Sequence, residues 1–160
     1  MPHARRKPIL ALSIVLGIAA PVGVLIAAQS ALDLQKARHD HYHELGDAFK
    51  TVRDQTRAGT PNMTKIKSAA QIINEASIDQ GRWFPAGTGP EAGKTRALPE
   101  IWKRPDDFKA AQRVFSDAPP KLLAAANASD LNAVKSTYGE LGKACKNCHD
   151  TFRGPEDHDH

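Results

Sequence analysis

The stretch Leu131-Asn132-Ala133-Val134-Lys135-Ser136-Thr137-Tyr138-Gly139-Glu140-Leu141-Gly142-Lys143-Ala144-Cys145-Lys146-Asn147-Cys148-His149-Asp150-Thr151-Phe152 decides the fold of this chain. Leu131, Val134, Tyr138, Leu141, Cys145, Cys148 and Phe152 recur at alternating spacings of three and four, the signature of one buried helix face. Ser129, just ahead of the pattern, reads as its N-cap. The helix carries Cys145-Lys146-Asn147-Cys148-His149, and Cys-x-x-Cys-His is the attachment signature of c-type haem. At about 100° per residue, Cys148 lies roughly 60° to one side of Cys145 and His149 roughly 40° to the other, so all three share a face. Two thiols placed this way can form thioethers with the vinyl groups of one haem, while the imidazole reaches the iron as an axial ligand.

Two other chemistries use a Cys-x-x-Cys pair. A redox dithiol is expected beside a βαβ pattern, and a structural zinc site needs two further ligands. The chain has two cysteines in all, and the histidines after the motif are His158 and His160 on a polar tail. A haem-free thiol or metal-binding bundle, with that tail adding ligands, is the rival reading. It predicts no covalent haem.

Upstream of the motif, three further helices can be read. The first covers Leu32 to Arg57, with Arg38, Tyr42, Leu45, Phe49 and Val52 on one face, and stops at Ala58-Gly59-Thr60-Pro61. The second runs from about Pro61 to Gln80, with Ile66, Ala69, Ile73 and Ala76 inward and Asn62 or Thr60 as its cap. A Gly- and Pro-rich loop from Gly81 to about Pro105 follows, anchored by Phe84 and Trp102. So long a loop either covers a cofactor edge or is a packed connection. The third helix, Asp106 to Ala126, places Phe108, Ala111, Phe115, Leu122 and Ala126 together; Pro119 and Pro120 should kink or split it. No strand pattern or repeat appears. The expectation is an all-α, antiparallel four-helix bundle with a long loop between helices two and three.

At the N-terminus, Arg5, Arg6 and Lys7 precede an apolar stretch from Ile9 to Ala28 that ends among small residues. That is an export signal, which assigns residues 1–31 to targeting, 32–154 to the helical domain and 155–160 to the tail. The stretch is also long enough to span a bilayer, so a retained anchor facing the periplasm is the alternative to cleavage near Ala28 to Ala31. Without residues 1–31 the chain carries 19 Lys plus Arg against 18 Asp plus Glu, a net charge of +1. That balance gives no case for nucleic-acid binding.

These features together resemble cytochrome c′ and the related class II c-type cytochromes, over essentially all of residues 32–154. The resemblance rests on Cys145-Lys146-Asn147-Cys148-His149 with Arg153, on Trp83-Phe84-Pro85-Ala86-Gly87-Thr88-Gly89-Pro90 through Pro99-Glu100-Ile101-Trp102, and on Arg38-His39-Asp40-His41-Tyr42-His43-Glu44-Leu45-Gly46. It implies one covalent haem c on Cys145 and Cys148, with His149 as proximal ligand and Arg153 beside the proximal face. It also implies Arg38 near the haem propionates, with Thr95 or Arg96 reaching the same charged edge. Tyr42 matches the distal residue. Methionine there marks six-coordinate, electron-carrying members, and a bulky non-ligating residue marks five-coordinate members that bind nitric oxide or carbon monoxide.

Met63, at the start of the second helix, is poorly placed to be a sixth ligand, whereas His39, His41 and His43 flank Tyr42 and carry ligating imidazoles. Two functions follow as expectations: a periplasmic one-electron carrier serving redox partner proteins, and a gas-binding protein with a vacant iron position behind Tyr42. Neither requires a catalytic residue. Family members often form homodimers through their first two helices, and the same is expected here.

Overall fold

The computed structural model describes residues 22–155. All regular elements among them are helical: α1 (Val22–Arg57), α2 (Met63–Asp79), α3 (Glu100–Lys103), α4 (Pro105–Ser116), α5 (Pro119–Asn127) and α6 (Leu131–Phe152). Helix α1 starts ten residues ahead of the predicted Leu32, because nothing from Val24 to Leu45 is glycine or proline and the helix has no reason to stop. The N-terminal part of the predicted export segment, residues 1–21, lies outside the described residues, as do His158 and His160. Among the described residues no helix is long and apolar enough to cross a membrane.

The other boundaries follow local chemistry. Asn62 caps α2 as predicted, its side-chain oxygen accepting from the Lys65 amide at 3.0 Å. The predicted third helix splits into α4 and α5, which open on Pro105 and Pro119. Proline is tolerated at such a first position, where its missing N–H has no intrahelical acceptor. The cap of α6 is Asp130, not Ser129: the Asp130 carboxylate accepts from the Ala133 amide at 3.0 Å. Ser129 instead ends α5. It has φ of 56°, its amide donates to Ala126 O at 3.1 Å, and the Asp130 amide donates to Ala125 O at 3.0 Å. This left-handed terminus closes the carbonyls that α5 leaves open.

Helices α1, α2, α5 and α6 enclose the main core, in which Val52, Ile66, Ile73, Leu122, Val134 and Leu141 are fully buried. The split α4–α5 unit counts as one helix of the four, so the bundle architecture stands. On α2, Ser77 is buried where Ala76 was expected. A second, smaller core of Ile101, Phe108 and Phe152 gathers Phe84 and Trp102, which anchor the loop as expected. The loop is partly helical, containing a 3-10 turn at Gln80–Arg82 and the helix α3.

Candidate haem-binding site

The motif residues sit near the C-terminal end of α6. Cys145 and Cys148 are free, half-buried thiols; Cys145 packs on the main core and Cys148 on the aromatic cluster. Burial, helped by its neighbour Cys148, pushes the Cys145 thiol up to about 11, and burial alone pushes Cys148 up. Both are therefore neutral thiols at ordinary pH. His149 is more open to solvent than its face on the helix suggested. What burial it has, with the positive charges of Arg153 and Arg96, lowers its pKa and keeps the imidazole neutral. Neutral imidazole is the form that ligates a metal.

Tyr42 of α1 lies near the two thiols. Both cysteines act electrostatically on its hydroxyl, which burial, first, and then Cys148 push well above the usual tyrosine range. Its ring is held edge-on by Trp83 at 5.0 Å between centroids and packs on Phe84 at 6.0 Å. Phe84 in turn meets Phe108 at 4.8 Å, and Phe108 meets Phe152 at 5.1 Å. An aromatic wall thus runs from the distal tyrosine to the residue that ends α6.

Arg38, one turn before Tyr42, is 5% exposed, so a solvated surface charge is ruled out for it. Its guanidinium donates to Thr88 Oγ1 at 3.0 Å, Thr88 O at 2.8 Å and Thr95 Oγ1 at 3.2 Å, and lies 4.9 Å from the Phe84 ring centre. Desolvation lowers its pKa, and Tyr42 and Glu91 raise it. Thr95 therefore joins Arg38. Arg96 donates from Nε and Nη2 to Gly154 O at 3.1 and 3.0 Å, tying the loop to the end of α6 beside the exposed Arg153. The candidate residues thus form two groups, Arg38, Tyr42 and Thr95 on the α1 side and His149, Arg96 and Arg153 at the α6 terminus.

Two residues escaped the sequence reading. Thr88 is 1% exposed and its hydroxyl donates to Pro85 O at 2.8 Å while accepting from Arg38. Gln35 is also buried and donates to Gly89 O at 2.7 Å. Gln35 was within reach, since it sits three residues before Arg38 on the same stripe. Thr88 had no periodic signal.

The other ligand candidates are not packed on Tyr42 in the contacts seen. His39, His41 and His43 are all exposed, and His41 stacks on Trp83 at 4.8 Å. Met63 opens α2 next to the far end of α1, roughly four turns from Tyr42, and packs on the main core.

The donor set fits a covalent haem. Two unbridged thiols one helical turn apart, a neutral imidazole beside them, an aromatic wall and a buried guanidinium near Tyr42 are what a flat apolar macrocycle with a charged edge requires.

Comparison with known proteins agrees. The family model described as cytochrome c′ matches residues 33–153. Cytochrome c′ of Rubrivivax gelatinosus is 43% identical over 122 residues, covering 76% of this chain and 94% of its own. Among solved structures, a cytochrome c′ described as having an unusual ligand-controlled dimer dissociation superposes with a TM-score of 0.72 at 25% identity, covering 78% of this chain and 97% of the other. A ferrous variant of cytochrome c prime from Alcaligenes xylosoxidans with bound NO gives 0.70 at 28% identity, covering 79% and 97%. The chain belongs to the cytochrome c′ family, whose proteins carry a covalently bound haem c.

Proposed function

We propose that this protein is an exported, periplasmic mono-haem cytochrome that binds a diatomic gas, nitric oxide or carbon monoxide, on the Tyr42 side of its iron and exchanges single electrons with redox partner proteins. Cys145 and Cys148 would anchor the haem, and His149 would be its proximal ligand. When bound, the haem supplies an iron that changes by one electron and offers a coordination position to a small ligand. The observation that carries the reading is the side chain near the motif's thiols: Tyr42, a half-buried phenol that desolvation keeps neutral, with the three neighbouring histidines in solvent.

The residues divide the work. His149 keeps its ring nitrogen unprotonated for ligation. Tyr42 and the aromatic wall keep water from the gas side, and Tyr42 holds its own proton instead of offering a phenolate. Arg38 and Thr95 would hold the carboxylate edge of the haem, and Arg153 would lie by its proximal face. No residue is assigned a catalytic role. Electron exchange is supported by a groove of about 220 Å³ between α4 and α6, where Cys148 comes to the surface beside Ala111 and Val114. Two copies would pair through α1 and α2.

The test is the optical spectrum of the ferrous protein before and after carbon monoxide. A high-spin spectrum that shifts with the gas is expected. A low-spin spectrum that ignores it would remove gas binding and leave the electron carrier, and no haem spectrum after expression with a maturation system would remove both. Export is tested by the mass of the chain recovered from the periplasm, expected to lack about the first 31 residues.

A further inference from the structure

We propose that His39 and His43 form a two-imidazole chelate for a divalent transition-metal ion, of the Cu²⁺, Ni²⁺ or Zn²⁺ class, on the solvent side of α1. The proposal is independent of the haem, and either can fail without the other.

The run His39-Asp40-His41-Tyr42-His43 places His39 and His43 four residues apart on a continuous helix, so their side chains meet one turn apart on one face. Their ring centres are 6.1 Å apart and the rings are tilted by 43°. An ion shared by two imidazoles sits about 2.0–2.1 Å from one nitrogen of each, which separates the ring centres by roughly 5 to 6 Å. The pair is already near that bite. His41 is not part of it, since its ring stacks on Trp83.

Each ring also has a carboxylate at its other nitrogen. Asp40 Oδ1 is 3.6 Å from Nδ1 of His39, and Asp47 Oδ2 is 3.4 Å from Nδ1 of His43. A carboxylate on that side of the ring orients it and leaves the Nε2 edge open to a metal. The two imidazoles are 75% and 71% exposed, so an ion reaches them without any opening of the fold. No third His, Cys, Asp or Glu completes a ligand set among the described residues, so water fills the remaining positions and the ion exchanges freely. Affinity should follow the general order for nitrogen donors, with Cu²⁺ above Ni²⁺ and Zn²⁺.

The experiment is a calorimetric Zn²⁺ titration of the haem-loaded protein, with its mass followed by sedimentation. One ion per chain is expected, with affinity at least tenfold weaker in His39→Ala and in His43→Ala. Both positions are exposed on a helix, where alanine is well tolerated. Affinity should be unchanged in His41→Ala and in the tail variant His158→Ala/His160→Ala. Equal binding by all variants, no binding by the wild type, or loss confined to the tail variant would overturn the site. A stoichiometry of one ion per two chains would overturn the single-chain chelate.

Discussion

Tyr42 and Arg38 are one turn apart on α1, and burial acts on both in ways that can be measured. Introducing a thioether at the distal position by Tyr42→Met should convert the ferrous protein to a low-spin form and weaken carbon monoxide binding at least about tenfold, or 1.4 kcal/mol, because the gas must then displace a ligand. An unchanged high-spin spectrum would mean that Tyr42 does not face the iron. The phenol of Tyr42 ionises above its ordinary 10.0, mainly because it is buried. The folded protein therefore holds a proton that the unfolded chain releases, so this contribution to stability is complete below about pH 10 and is lost as pH rises beyond it. Urea midpoints followed between roughly pH 9 and 11 should fall, and Tyr42→Phe should flatten the fall; Tyr138, also raised by burial, leaves a residual slope. For Arg38, removing the fork in Arg38→Ala strands the oxygens of Thr88 and should cost about 2–4 kcal/mol, with Arg38→Lys recovering part of it. A urea midpoint that falls at constant slope is the readout. The shared face of Arg38 and Tyr42 was legible because the helical period put them on one stripe, while their roles at the site were read only from the family resemblance. Their partner Thr88 was not, because the bond spans 50 positions of chain and a loop has no period.

At the level of elements, what the sequence states plainly is where a helix cannot continue. Pro119-Pro120 announced the break between α4 and α5, and Asn62 announced the start of α2. Ser129 and Asp130 were a harder case, since both are capping types and both precede the apolar pattern. The choice depended on how α5 ends: its terminus takes Ser129 into the left-handed region, which leaves Asp130 extended (φ −85°, ψ 94°) and able to cap. Thermal and urea unfolding should separate the two roles. Asp130→Ala should cost about 1 kcal/mol, the usual value of a lost N-cap. Ser129→Gly should be neutral to stabilising by up to about 1 kcal/mol, because glycine takes positive φ without strain. The opposite ranking would return the cap to Ser129. The early start of α1 belongs to the same lesson, for a residue pattern marks the buried part of a helix and not its full length.

For the whole molecule, the bundle was legible because four amphipathic stripes have one economical way to hide, whereas the pairing of whole molecules depends on surfaces that no stripe describes. The outer face of α1 and α2 holds a groove of about 640 Å³ lined by Ala48, Ala69 and Ile72, with Asp40, Glu44, Asp47 and Lys65 around them. Ala48 and Ala69 are small, so the two helices offer a shallow seat for a second copy, and the mixed charges suit a two-fold pairing in which acidic and basic groups face each other. Ser68 is exposed and lines this groove away from both cores. Ser68→Arg should therefore split a dimer while leaving the fold and the haem spectrum intact. Sedimentation should give twice the chain mass for the wild type and the single mass for the variant, at matched concentration. A variant that stays dimeric would move the contact to another face, and the α4–α6 groove at Cys148 is the next surface to probe, because a partner seated there would also cover the route proposed for electrons.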